Sequence, residues 1–368
     1  MVAIVMGLTA TLAITSLLIF AENHKRTTTS TNDAEQTGVF AAYTLDRAIR
    51  GAGSGFAAGA MASIDSGVFA CKLNVSNILP RTTALPDPFA SVNITNLAVA
   101  PVVIAHRSLP LSDVILVMNG SGAAGGVARQ VTGSGSATTL VLDNSVGFQP
   151  NDLVLVSQSG AATGSDCLLE QVSSASGGTL TLSNTATYYT AGTNTTITTL
   201  SSNTSTFVTP LGNTTANNVQ LTAYGVDANR TLYSYDLLRT QGGDASQAVA
   251  DGVDKMYAIY GVDTNGDGVQ DGWAGPGDPG YDMATVMSDP GKMRQILSVR
   301  VSLLLRSSYA DKKKVSPASL TLFSGLTNIA NASLEQAVPL SDDDQHYRYR
   351  VFEFTVPLRN MILLAGGP

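Results

Sequence analysis

The chain has 368 residues, of which only 13% are charged, with 21 basic against 28 acidic side chains. Soluble domains usually carry about 25%, and a net charge of −7 with no long Lys/Arg run argues against nucleic-acid binding by counterion release. Three scattered histidines and two cysteines leave too few ligands for Cys-rich zinc modules and few candidates for histidine-based catalysis.

The first element is an uncharged run, MVAIVMGLTATLAITSLLIFA, at 1–21. About twenty residues in a helix span roughly 30 Å, the hydrocarbon thickness of a bilayer, so the segment is expected to cross a membrane. A cleaved secretory signal would begin with a basic stretch and have a shorter apolar core; this run is apolar from its first residue and reads as an anchor. Glu22, Lys25 and Arg26 follow, then TTTSTN at 27–32, where β-branched and hydroxylated side chains lower helix propensity. A loosening is expected there, with Asn32 and Glu35 restarting the helix as a cap pair. Ala41, Ala42, Leu45, Ala48 and Ile49 form one apolar stripe beside an Asp46/Arg50 pair, predicting an amphipathic half packed on the rest of the chain. Gly51, Gly53 and Gly55 end a helix of about 75 Å.

Residues 51–368 read as a β-rich body of short strands between Gly, Ser, Asn and Asp turns. Strands are expected at 113–118, 139–142, 152–156, 167–172, 179–182 and 218–224. Residues 173–212 are mostly Ser, Thr, Asn and Gly; they suit exposed hairpins or a flexible loop, and the strand periodicity of TLTLS and TTITTL favours hairpins. Cys71 and Cys167 fit one disulfide in an oxidising compartment, the alternative being two unrelated buried thiols. The fold class is α+β, a long amino-terminal helix (1–50) packed on an antiparallel β-rich domain (51–368).

One constellation suggests chemistry. Asp263, Asn265, Asp267, Gly268, Val269 and Asp271 have the spacing of positions 1, 3, 5, 6, 7 and 9 of an EF-hand loop, in which side-chain oxygens and one backbone carbonyl surround Ca²⁺. At position 12 Ala274 replaces the bidentate glutamate, so Asp278 or Asp282 would complete the shell, or calcium would bind weakly. The competing reading is a chain reversal after AIY, because Asn-Gly and Asp-Gly are favoured hairpin turns. The run Asp342, Asp343 and Asp344 reads as a solvated turn, and Arg348 and Arg350 as a basic strand face. No Gly-x-Ser-x-Gly elbow and no phosphate-cradling motif occurs; an enzyme is not expected.

A half-apolar, half-amphipathic helix before a β-rich body is the layout of a type IV pilin. MVAIVMGL at the start and GVFAAYTLDRAIRGAGSGF at 38–56 resemble the PilW family of type IV pilus minor pilins. SDVILVM at 112–118, NDLVLVSQSGAATGSDC at 151–167, NRTLYSYDLLRT at 229–240, VADGVDKMYAIYGVDTNGDGVQDGW at 249–273, SVRVSLLLRS at 298–307 and YRYRVFEFTVPLRN at 347–360 extend the resemblance. In that family a prepilin leader and a glutamate-bearing motif precede Met-Val-Ala-Ile-Val, so leader cleavage and N-methylation are implications of the resemblance alone. It implies a pilin-type domain stapled by Cys71 and Cys167, held in the inner membrane through residues 1–21, facing the periplasm and later carried on a surface pilus. Implied partners are other minor pilins, the major pilin and the assembly machinery, in a complex that primes assembly near the tip. A minor pseudopilin of a type II secretion system is the nearest alternative. A membrane-anchored calcium-dependent adhesin is the alternative from another class.

Overall fold

A computed structural model describes residues 2–60, 67–73, 85–90, 92, 97–108, 111–120, 127–160, 166–183, 197–216, 218–238 and 246–365. One antiparallel sheet contains β2 (Val102–Ala105), β3 (Val114–Asn119), β10 (Gln220–Val226), β11 (Thr231–Asp236) and β12 (Gln247–Asp251), in the order β12-β11-β10-β3-β2. A second contains β13 (Val253–Val262), β14 (Gly272–Ala274), β15 (Ile296–Ala310) and β18 (Tyr347–Pro357), in the order β14-β13-β15-β18. The hairpin of β16 (Ser319–Leu322) and β17 (Gln336–Pro339) packs Leu322 and Val338 against Tyr257, Ile259 and Leu304 of that sheet.

Between β3 and β10 the chain builds a barrel. Its strands are β4 (Arg129–Ser136), β5 (Thr139–Leu142), β6 (Asp152–Gln158), β7 (Asp166–Ser176), β8 (Thr179–Leu182) and β9 (Thr206–Asn213). They pair in the order β7-β6-β9-β4-β5-β8, and β8 returns to β7, closing six strands into a ring without free edges. Val131, Leu140, Val154, Val156, Leu168, Leu180 and Val208 fill it. The outward residues Leu153, Leu155, Leu169 and Leu211 join the main core, so β6 is apolar on both faces and reads as the unbroken run DLVLV. A short strand, β1 (Lys72–Leu73), lies parallel to β7, and the Cys71–Cys167 disulfide forms beside it, 96 residues apart in sequence.

The six expected strands form as β3, β5, β6, β7, β8 and β10. TLTLS supplies β8, but the expectation for TTITTL is corrected: Ile197–Ser201 is a helical turn. Ile197 and Leu200, three residues apart, both enter the barrel core, a spacing that suits a helix rather than a strand. The rest of the Ser/Thr-rich stretch, 184–196, lies outside the described residues, as do 121–126.

The helix α1 (Val2–Arg50) is uninterrupted, so the expected loosening at 27–32 does not occur. Thr28 and Thr31 donate their hydroxyls to the carbonyls of His24 and Thr27, both at 2.9 Å. These bonds keep the hydroxyls on the helix's own carbonyls. The end of β15 supports the same turns: the Ser308 N–H donates to the buried Ser30 hydroxyl at 3.0 Å, and the Arg26 guanidinium lies over the Tyr309 ring. Tertiary contact overrides propensity, and Asn32 and Glu35 sit inside the helix instead of restarting it.

Ala41, Ala42, Leu45 and Ile49 are buried as the stripe predicted, and α1 packs on β15, β18 and β12. Gly38 allows the close approach, because a Cβ there would run into the Leu305 side chain. The helix stops at the glycines: Gly53 and Gly55 have φ of +77° and +82°. Just past its end, the Asn360 side-chain amide donates to the Ala52 carbonyl at 2.9 Å.

Candidate functional site

The acidic loop joins β13 to β14. Val262 pairs with Gly272, and the Asp271 N–H donates to the Val262 carbonyl at 2.9 Å, so the loop does reverse the chain after AIY. Asp263 anchors it. Its N–H donates to the Gln295 carbonyl at 2.8 Å, and its buried carboxylate accepts the N–H groups of Asn265, Gly266 and Gly268 at 3.2, 2.7 and 2.8 Å. Gly266 and Gly268 take φ of +81° and +83°, a region that other residues adopt only under strain.

The remaining positions extend this net. Asn265 Oδ1 accepts the Asp267 N–H at 2.9 Å, and Asp267 accepts the N–H of the exposed Val269 at 2.8 Å. Asp271 accepts both the hydroxyl and the N–H of Thr264 at 2.7 Å, and these bonds, the hydroxyl's first, hold its pKa below the usual carboxylate value. Asn265 Nδ2 reaches Asp267 at 3.2 Å and Asp271 at 3.4 Å. Asp263, Asn265, Asp267, Val269 and Asp271 therefore share one turn whose oxygens hold amide donors. Among the described residues, no group of three or more His, Cys, Asp or Glu is placed to hold a metal ion. Asp278 and Asp282 act elsewhere: Asp278 accepts from the Gly275 N–H and Asn328 Nδ2 at 2.7 and 2.9 Å, and Asp282 caps the helix Met283–Ser288 through Thr285.

Two further carboxyl groups matter electrostatically. Asp113, fully buried, accepts the N–H groups of Arg107 and Ala258, both at 3.1 Å, and pairs with His106 Nδ1 at 2.9 Å. It ties the first sheet to β13, and its hydrogen bond is the main cause raising the His106 pKa. Glu170 on β7 is the opposite case. It is 1% exposed, neither oxygen has a partner among the described residues, and burial pushes its pKa up to about 8. It shares the inward parity of Leu168 and Val172, which places it in the barrel interior. Sequence reasoning missed both groups; the sign to look for was one acid inside the apolar strand run CLLEQV.

The loop, the second sheet and the strands beneath α1 all lie in one stretch of chain. Residues 214–360 match the family model PilW, described as type IV pilus-assembly protein W. The chain carries a PilW domain. No curated protein and no solved structure matches it. The PilW match starts directly after β9, so it takes in β10 to β18 and the acidic loop and leaves the barrel outside. The PilW match over residues 214–360 implies a role in type IV pilus assembly. The helix that it seats is long and apolar enough to cross a membrane, with mean hydropathy 2.3 over an 18-residue window, as suits an anchor for a periplasmic or pilus-borne domain.

Proposed function

We propose that the chain is a minor pilin that joins other minor pilins in a complex priming pilus assembly near the tip. The observation that carries this reading is the combination of a PilW domain with a helix whose second half is seated on that domain while Val2, Ile4, Leu8, Leu12, Leu17 and Phe20 stay exposed. Each such side chain gains about 1.5–3 kcal/mol on leaving water, and a bilayer or a bundle of neighbouring helices supplies that burial equally well. The helix thus stores the subunit in the inner membrane, with the β-rich body in the periplasm, and packs against major and minor pilin helices on extraction into the filament. The chain acts by assembly and catalyses nothing.

Deleting the gene in a piliated strain tests this. Surface pili should disappear and return with the full chain, but not with one lacking residues 2–21. Normal piliation after deletion would overturn the reading. If secretion fails while pili persist, the chain is a pseudopilin; if only adhesion is lost, it is an adhesin.

A further inference from the structure

A groove of 680 Å³ runs between α1 and the adjoining ends of β3 and β10. Phe40, Tyr43 and Arg47 line it from the helix, Asn119 from β3, and Gln220 and Tyr224 from β10. Its rim is apolar, with Phe40 56% and Tyr43 62% exposed. Its polar lining, of which Arg47 and Gln220 are exposed, is uncommitted at three positions. Arg50, on the next turn, is paired with Asp46, whereas among the described residues Arg47 has no ion-pair partner and the side chains of Asn119 and Gln220 have no hydrogen-bond partner. Burial, aided by Asp236, raises the Tyr224 pKa to about 12, so its hydroxyl remains a neutral donor.

We propose that this groove docks an acidic segment of a partner polypeptide, its carboxylate on Arg47 and an adjacent apolar side chain on Phe40 and Tyr43. Charge carries the choice of occupant. In a chain of net charge −7, the groove offers the Arg47 guanidinium, the side-chain amides of Asn119 and Gln220 and the Tyr224 phenol, and a planar guanidinium fork binds carboxylate through two parallel hydrogen bonds. A lipid headgroup fits less well, because Arg47 lies about 39 Å along the helix from the end of the apolar run. The inference rests on the assembly reading only in expecting that the partner is another pilus subunit.

The test places the photo-crosslinker p-benzoylphenylalanine at Tyr43 of the full chain in piliated cells and sequences the adduct by mass spectrometry. The expected product is a single polypeptide crosslinked within a few residues of an Asp or Glu. Arg47→Glu should lower its yield at least tenfold, Arg47→Lys should retain part of it, and changing that partner acid to Arg should restore it with Arg47→Glu. No adduct, a lipid adduct, a crosslinked segment without an acid, or a yield indifferent to Arg47→Glu would overturn the proposal. If pili are normal when the adduct fails, the groove is rejected and the assembly role stands.

Discussion

The barrel of β4 to β9 closes through the β7–β8 pair, whereas the sheet β14-β13-β15-β18 ends on β18, an edge carrying the charged residues Arg348, Arg350 and Glu353. Charge along an edge discourages stray strand pairing; closure removes the edge altogether. The two regions also differ in what they hold. The open sheet seats α1, while the barrel holds its own aliphatic interior and touches the main core through its outer leucines. Asn119 and Gln220, the residues that flank the barrel in the chain, pair with each other in the first sheet. The barrel is therefore an insertion into a hairpin, and the PilW domain is the part built around the helix.

Cutting the covalent tether should separate the two regions most strongly. The disulfide closes a long loop, and its loss through Cys71→Ser with Cys167→Ser should cost about 2–5 kcal/mol. Hydrogen exchange should then show β6 and β7 losing protection before β13 and β15 do. If both pairs lose protection together, the chain is one cooperative unit and the comparison fails.

Glu170 should destabilise the barrel alone, with an effect set by pH. Its folded-state pKa is raised, so its contribution is fully present below about 4.5 and is lost as pH rises through about 8. At roughly 1.4 kcal/mol per unit, the barrel should weaken by about 3 kcal/mol between pH 4.5 and pH 7. Glu170→Met should remove most of that slope and raise the melting temperature at pH 7. An unchanged slope in the variant would place the titrating group elsewhere.

How far the fold was legible follows the same division. Alternation marked β5 and β8, unbroken apolar runs marked β3 and β6, and the stripe from Ala41 to Ile49 marked the seated face of α1. The barrel escaped notice because its ring depends on the distant pairings of β4 with β9 and of β6 with β9, which spacing along the chain does not encode, whereas the three-residue spacing of Ile197 and Leu200 did carry the sign of a helical turn. Helix continuity at 27–32 depended on Ser308 and Tyr309, far away in sequence. The acidic loop was legible as a turn, since Asn-Gly and Asp-Gly fix its backbone. Where its donors point was not, because Thr264 donates twice to Asp271 Oδ2, an oxygen that a cation would use.

His106 should report on the sheet side. Its pKa is raised by Asp113, so the stabilising pair is fully formed below the ordinary 6.5 and is lost as pH rises through the raised value. With the ring about a third exposed, solvent screening makes the effect smaller than that of Glu170. His106→Gln should flatten this part of the stability profile and leave the barrel's slope unchanged. An NMR titration placing the His106 pKa at or below 6.5 would reject the pair's contribution.

The smallest expected effect belongs to calcium at the acidic loop, the sheet region's counterpart to the barrel's disulfide. Asn265 Nδ2 lies between the Asp267 and Asp271 carboxylates, the place where local negative charge would favour a cation. For calcium to enter, the amide must turn its oxygen inward and the Thr264 bonds to Asp271 must yield, and Ala274 adds no ligand. Binding is therefore proposed in the range of about 10⁻⁴–10⁻³ M found for extracellular sites. A few millimolar calcium should raise the melting temperature of the full chain slightly, and Asp267→Ala should abolish the shift, with a small loss of calcium-free stability from its exposed bonds to Val269 and Asn265. Equal melting temperatures with and without calcium in the unaltered chain would leave the loop a hairpin turn closed by its own amides.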